Sequence, residues 1–275
     1  MSVDAPFATD SAAAGSVATP YLRLDLGRVQ ASIDAMAARA RTLGVTLRPH
    51  AKTHKSVRVA RQQLAAGAVG LTVATVAEAE VFAAGGCTDL FIAYPLWVDA
   101  AKARRIAAVR AQARVAIGVD STASLDAMSA HGIRPEVVVE VDSGHHRSGV
   151  APEAAGLIGR YAADAGFVVR GAFTFPGHSY NPATRASAAL DEARALAAAA
   201  ESLAGQGLSA QVRSGGSTPS AQFAVGNAGG STGGGLTELR PGVYVFGDAQ
   251  QVELGTCKLE DVALTVVATV VSHAG

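Results

Sequence analysis

The chain has 275 residues, of which 49% are hydrophobic, 17% charged and 5% aromatic. That is enough for one large domain, or one plus part of a second, and it excludes a disordered chain or a charge-laced coiled coil. Lys+Arg and Asp+Glu balance at 23 each, so no net field draws the chain to nucleic acid or an anionic membrane.

Residues 1–19 carry Asp4 and Asp10 and lack a basic start and apolar middle, so they read as a flexible N-terminal segment rather than a secretory signal. Leu22 to Leu26 reads as the first strand. Arg28 to Thr42 follows as a helix with Val29, Ile33, Met36, Ala37 and Ala40 on one face, stopped by Gly44. Val45 to Arg48 is the second strand and Ser56 to Ala66 the second helix, with Ser56 as N-cap. Further strands are predicted near Val69–Ala74, Asp89–Tyr94, Val115–Val119, Val137–Val141, Phe167–Phe173 and Ala210–Arg213. Helices fill the gaps at Ala77–Ala84, Val98–Gln112, Leu125–Ala130, Glu153–Ala165 and Ala183–Leu203. Eight strands alternating with helices is the stoichiometry of an α/β (β/α)8 barrel, with a doubly wound open sheet as the alternative. Gly226 to Gly235 reads as a flexible glycine-rich loop. Val243–Phe246 and Val262–Ser272 are β-rich with no helix between them. The predicted organisation is therefore a barrel over 20–240 and the opening of a β-domain over 241–275.

Function in a barrel sits at the C-terminal ends of its strands. The second strand runs into Arg48-Pro49-His50-Ala51-Lys52-Thr53-His54-Lys55. So many cationic or titratable side chains disfavour the charged form of Lys52, and a neutral lysine is what a Schiff base with an aldehyde needs. After the sixth strand comes Glu140 to Gly149, where Arg147 can aim a fixed fork at an oxyanion. Phe175 to Tyr180 follows the seventh. Ser214-Gly215-Gly216-Ser217-Thr218-Pro219 follows the eighth, and its small residues and hydroxyls make a phosphate cradle. Lysine and cradle together point to a phosphate-bearing aldehyde, of which pyridoxal phosphate is the common cofactor. Cys87 reads as a buried small hydrophobe, Trp97 as packed at the end of the fourth strand or lining the pocket, and His131 as surface. His50 and His54 lack a third partner for a metal. Two cysteines fit a reducing cytoplasm, and no apolar run is long enough to span a membrane.

At these segments, together with Glu238-Leu239-Arg240-Pro241-Gly242-Val243-Tyr244, the chain resembles the metal-activated pyridoxal enzymes: D-threonine aldolase, D-serine dehydratase and 3-hydroxy-D-aspartate aldolase. The segments recur in family order and the resemblance spans residues 20 to about 272. It implies a barrel of the alanine racemase fold type with pyridoxal 5'-phosphate as cofactor and Lys52 as the Schiff-base lysine. Arg147 would sit by the phenolic oxygen. Gly216, Ser217 and Thr218 would hold the phosphate, helped by Gly242 and Val243 or Tyr244. His178 and Tyr180 would line the cofactor or substrate side, His178 in a catalytic role, and Arg240 matches the arginine that racemases set on the pyridine nitrogen. The family continues into a β-domain supplying a His and a Cys or Asp to Mn or Zn. No matching pair follows in residues 241–275, and neither His273 nor Cys257 sits in that motif, so the chain reads as truncated before it and no metal ligand is assigned.

The activity implied is that of a lyase on small β-hydroxy D-amino acids, by retro-aldol cleavage or by dehydration. Alternatives on the same barrel are a non-catalytic cofactor-binding or homeostasis protein and an amino-acid racemase. A homodimer is the implied assembly, in the cytoplasm, with neither nucleic acid nor membrane as partner.

Overall fold

The structure, a computed structural model, describes residues 17–226 and 235–273. The segment 1–16 and most of the predicted glycine loop lie outside the described residues. In chain order the elements are β1 (Tyr21–Leu24), α1 (Leu26–Leu43), β2 (Thr46–Leu47), α2 (Val57–Ala65), β3 (Leu71–Val73), α3 (Val76–Ala84), β4 (Asp89–Ile92), α4 (Ala100–Arg110), β5 (Arg114–Val119), α5 (Thr122–Ala130), β6 (Glu136–Glu140), α6 (Ala155–Asp164), β7 (Val168–Phe173), α7 (Arg185–Gly205), β8 (Val212–Gly215), β9 (Glu238–Leu239), α8 (Ala249–Glu253) and β10 (Leu264–Val267).

Local chemistry sets most boundaries. Asp25, Ser56, Thr75, Asp99, Ser121 and Asp248 each cap a helix by accepting a backbone N–H of its first turn, which satisfies donors the helix itself cannot. Gly44 ends α1 in the left-handed conformation at φ 65°, open to glycine at little steric cost.

Strands β2, β9, β8, β7, β6, β5, β4 and β3 form one parallel sheet in that order. It closes on itself between β2 and β3: Val69 N donates to Leu47 O (2.9 Å), Thr72 N to Pro49 O (2.8 Å) and Ala51 N to Thr72 O (2.8 Å). The result is a (β/α)8 barrel. Its strand roster corrects the sequence reading. Leu22–Leu26 is not a barrel strand, because β1 pairs antiparallel with β10, Tyr21 opposite Val267 and Leu24 opposite Leu264. The barrel starts at β2 and its eighth strand is the two-residue β9, too short to register as a β-branched run. Val243–Phe246 is not a strand either: it winds into a 3-10 turn over Val243–Val245, and α8 follows. The terminal strand is four residues long, shorter than Val262–Ser272.

Side chains alternate across each strand. Leu90, Ile92, Val115, Ile117, Val137 and Val139 pack outward against the helices. The inward positions are stacked. At the bottom, Arg48 bridges Glu238 (2.7 Å) and Asp89 (2.7 Å), Arg114 joins Asp89 (3.5 Å) to Glu136 (2.9 Å), and Arg170 caps Glu136 (3.1 Å). A layer of Phe91, Val138 and Phe173 lies above it, Phe91 and Phe173 edge to face at 5.0 Å. This polar plug and aromatic floor leave the top of the barrel for chemistry. Among the described residues no helix is long and apolar enough to cross a membrane.

Candidate active site at the barrel mouth

The five segments singled out from the sequence meet at the C-terminal mouth, each holding the next along β2, β9, β8, β7 and β6. His50 N donates to Pro241 O (2.9 Å), and a Cβ on Gly242 would come within 3.1 Å of Thr53 Oγ1 and 3.3 Å of His50 O. Arg240 N donates to Gly215 O (2.7 Å) and Tyr244 N to Thr218 Oγ1 (3.0 Å). Ser217 Oγ lies 2.8 Å from Ser179 Oγ, and Thr174 Oγ1 donates to Ser143 Oγ (2.9 Å). Gly144 approaches the His178 ring, and the His145 ring covers Gly177 so tightly that a Cβ there would clash. Residues 190 apart in sequence thus share one rim.

Lys52 stands at this rim with its ammonium 5.5 Å from the centroid of the Phe175 ring. The Arg147 guanidinium lies 5.0 Å from the same centroid and 5.8 Å from that of Tyr94, while Phe175 faces Tyr180 at 6.4 Å. Partial burial, then Arg147 and Arg240, hold the Lys52 amine below the ordinary lysine range, with Glu78 opposing. His50 is pushed well below the usual histidine range by burial and the neighbouring Lys52. His54 falls to about 4, chiefly through burial, and its Nδ1 accepts from Ser56 N (3.0 Å). Both imidazoles are thus neutral, and the Lys52 amine is lowered, as expected, but by burial and by arginines of other segments rather than by the charges of its own.

Arg240 is buried over the inner rings of Phe91 (5.6 Å) and Phe173 (5.2 Å), and its Nη2 donates to Thr174 O. Its Nε has no partner. Glu140, buried at the end of β6, accepts from Ser148 Oγ (2.8 Å), sits 3.8 Å from Arg147, and is pushed up by burial. His178 lies on the turn Gly177–Tyr180 with Nε2 3.4 Å from Asp191 Oδ2, and its buried Nδ1 is unpartnered. Tyr180 is raised by burial and then by Asp248.

The predicted phosphate loop is more committed than its sequence implied. Gly216 N donates to Glu192 rather than facing the mouth. Ser217 N donates to Ser220 Oγ (3.0 Å). Thr218 Oγ1, holding Tyr244 N, keeps its own proton to give. The Tyr244 hydroxyl accepts from buried Gln63 Nε2 (2.9 Å), so Tyr244 braces the loop from behind. Glu192, Glu140, Phe175 and Gln63 were not singled out as site residues. Glu192 did leave a trace: it is an acid on the apolar stripe of α7, four residues from both Ala188 and Leu196. Trp97, expected to pack, stands 66% exposed; Cys87 is buried and His131 exposed, as read. A cleft of about 440 Å³ lies behind the Thr218–Tyr244 wall, between α1 and α8, and contains none of Lys52, Arg147, His178 or Arg240.

A barrel with a low-pKa lysine facing two arginines and a serine-threonine loop defines a class of cofactor enzymes. The chain belongs to the alanine racemase N-terminal domain family, whose pattern matches residues 24–250. It is similar to D-threo-3-hydroxyaspartate dehydratase of Delftia sp., with 42% identity over 93% of this chain and 68% of that protein. D-threonine aldolase of Arthrobacter sp. is 35% identical over 93% of this chain and 69% of that one. The solved Delftia dehydratase superposes with a TM-score of 0.84, 39% identity, over 94% of this chain and 69% of that one. The chain therefore spans about two thirds of the length of these relatives.

Proposed function

We propose that this chain carries the pyridoxal 5'-phosphate half of a lyase acting on small β-hydroxy D-amino acids. The observation that carries the reading is the unbroken series of contacts linking the five segments, with Lys52, Arg147, Tyr180, Arg240 and the Ser217–Thr218 loop all on them. The site's donors fit a phosphorylated aldehyde. Arg240 has a buried guanidinium nitrogen without a partner, Thr218 has a hydroxyl proton to give, and Gly242 lets backbone approach where a side chain would touch Thr53 and His50. When bound, the cofactor supplies an electron sink at the substrate's Cα.

The protein's own residues do the rest. Lys52 offers a neutral amine as the point of attachment and carries a proton to or from Cα. Arg147, set against Phe175 and Tyr94, would offer positive charge to the cofactor's phenolic oxygen. Gly216, Ser217, Thr218, Gly242 and Tyr244 shape the phosphate end, with Glu192 and Gln63 behind them. His178, held toward Asp191, faces the substrate side. Cleavage of Cα–Cβ would give glycine and an aldehyde; loss of the β-hydroxyl would give a 2-oxo acid and ammonia. The greater similarity to the dehydratase favours the second outcome, with a 3-hydroxyaspartate-like acid as first substrate.

A divalent metal, Mn or Zn, belongs to the same reading, and one solved variant of a D-threo-3-hydroxyaspartate dehydratase is in a metal-free form. Among the described residues no group of three or more His, Cys, Asp or Glu side chains is placed to hold a metal, so no residue here is assigned to it. A homodimer and a cytoplasmic setting complete the proposal; size-exclusion chromatography tests the former. The decisive experiment is absorbance with added cofactor, followed by borohydride trapping and peptide mass mapping. Label on Lys52, lost in Lys52→Ala, is the expected result. An unlabelled chain would overturn the reading.

A further inference from the structure

Glu192 has no role in the chemistry above, yet its placement is costly. It has no solvent exposure, Oε1 accepts the Gly216 N–H, and Oε2 has no partner. Gly215 lies so close that a Cβ there would overlap the carboxyl group. A buried carboxylate directly behind an anion-binding loop, with half its hydrogen-bonding capacity unused, is unstable in its charged form.

We propose that Glu192 is a positioning residue for the phosphate loop that takes up a proton when a phosphorylated ligand binds. This rests on the reading of Gly216–Thr218 as the phosphate site. Burial raises the Glu192 carboxyl to about 7, opposed by the Gly216 N–H and then by Arg240. Arg240, beyond β9, is the charged neighbour that acts on it. β8 and its loop face it with the backbone of Gly215 and Gly216, and Asp191 on its own helix turns instead to His178 and Arg194. A dianionic phosphate one peptide unit away adds like charge, which favours the protonated acid further. The neutral acid still accepts from Gly216, so the loop keeps its shape while repulsion is removed. Linkage then requires affinity to fall as pH rises through the free-state value.

The test uses pyridoxine 5'-phosphate, which has the ring and phosphate but no aldehyde, so that Lys52 attachment does not enter. Its dissociation constant is measured by fluorescence at pH 6 and pH 8 for the native chain and Glu192→Gln. A group titrating near 7 that is protonated on binding weakens the native chain by about tenfold over that interval relative to the glutamine variant. Equal pH dependence in the two proteins overturns the proposal and leaves the phosphate site standing. Absence of native binding at either pH overturns the phosphate-site reading and the proposal together. Should Glu192→Gln not fold, native calorimetry in buffers of different ionisation enthalpy at pH 7.5 decides: proton uptake is expected, and no uptake or net release overturns it.

Discussion

Lys52 and Arg147 address the same aromatic ring, the amine at 5.5 Å and the guanidinium at 5.0 Å from the Phe175 centroid. Two cations thus crowd one ring, and Arg147 helps to hold the Lys52 amine low. Removing the guanidinium removes a term that disfavours the ammonium. Arg147→Ala should raise the pH at which Lys52 becomes reactive. Borohydride trapping of added cofactor across pH 6–10 measures the midpoint; a midpoint unchanged or moved to lower pH contradicts this electrostatic account.

Glu192 also makes a stability prediction that needs no ligand. Its folded-state value of about 7 exceeds that of a free glutamate, so between roughly 4.5 and 7 the folded chain holds a proton the unfolded chain releases. The glutamate thus costs stability above pH 7, and the cost fades on acidification. Glu192→Gln should be more stable than the native chain at pH 8, on the order of 3 kcal/mol, with the gap closing by pH 5. Urea titrations at both pH values check this.

The charged plug beneath the aromatic floor is a second energetic commitment. Arg48 is 11% exposed and joins Glu238, 6% exposed, to Asp89. Arg48→Met would leave two carboxylates short of their cation and should cost about 3 kcal/mol. Loss of Tm without loss of the phosphate loop's affinity would place the plug's role in folding alone.

Tyr244 and Gln63 form a buried pair behind the loop, and Gln63 is 1% exposed. Tyr244→Phe strands the Gln63 amide and should cost about 1–3 kcal/mol. The same change keeps the Tyr244 backbone N–H on Thr218 Oγ1, so cofactor affinity should fall far less than stability. Thermal denaturation and a cofactor titration on one preparation separate the two effects.

Helix caps and strand-end motifs were legible because each is local. Ser56, Gly44 and the five segments lie where their residue types say. The barrel's seam was legible on one side only. β2 falls inside the predicted Val45–Arg48 strand, whereas β9 is two residues long and its pairing is set by partners far away in the chain, so periodicity cannot report it. β1 carried a strand's pattern but belongs to β10, because alternation reports a half-buried surface and not its partner. Likewise Val243–Phe246 has β-branched and aromatic residues, yet tertiary packing of Tyr244 and Val245 against α1 bends it into a turn.

The short seam has a consequence for how the molecule responds to its cofactor. β2 and β9 contribute few ladder bonds, yet Lys52 follows one and Arg240 and Gly242 follow the other. A ligand gripping both ends would act as a staple across this short-stranded join, stabilising it by about 2.7 kcal/mol at a hundredfold excess over its dissociation constant. Apo chains should therefore breathe first at this join, and hydrogen exchange there should slow more than elsewhere when the cofactor is added.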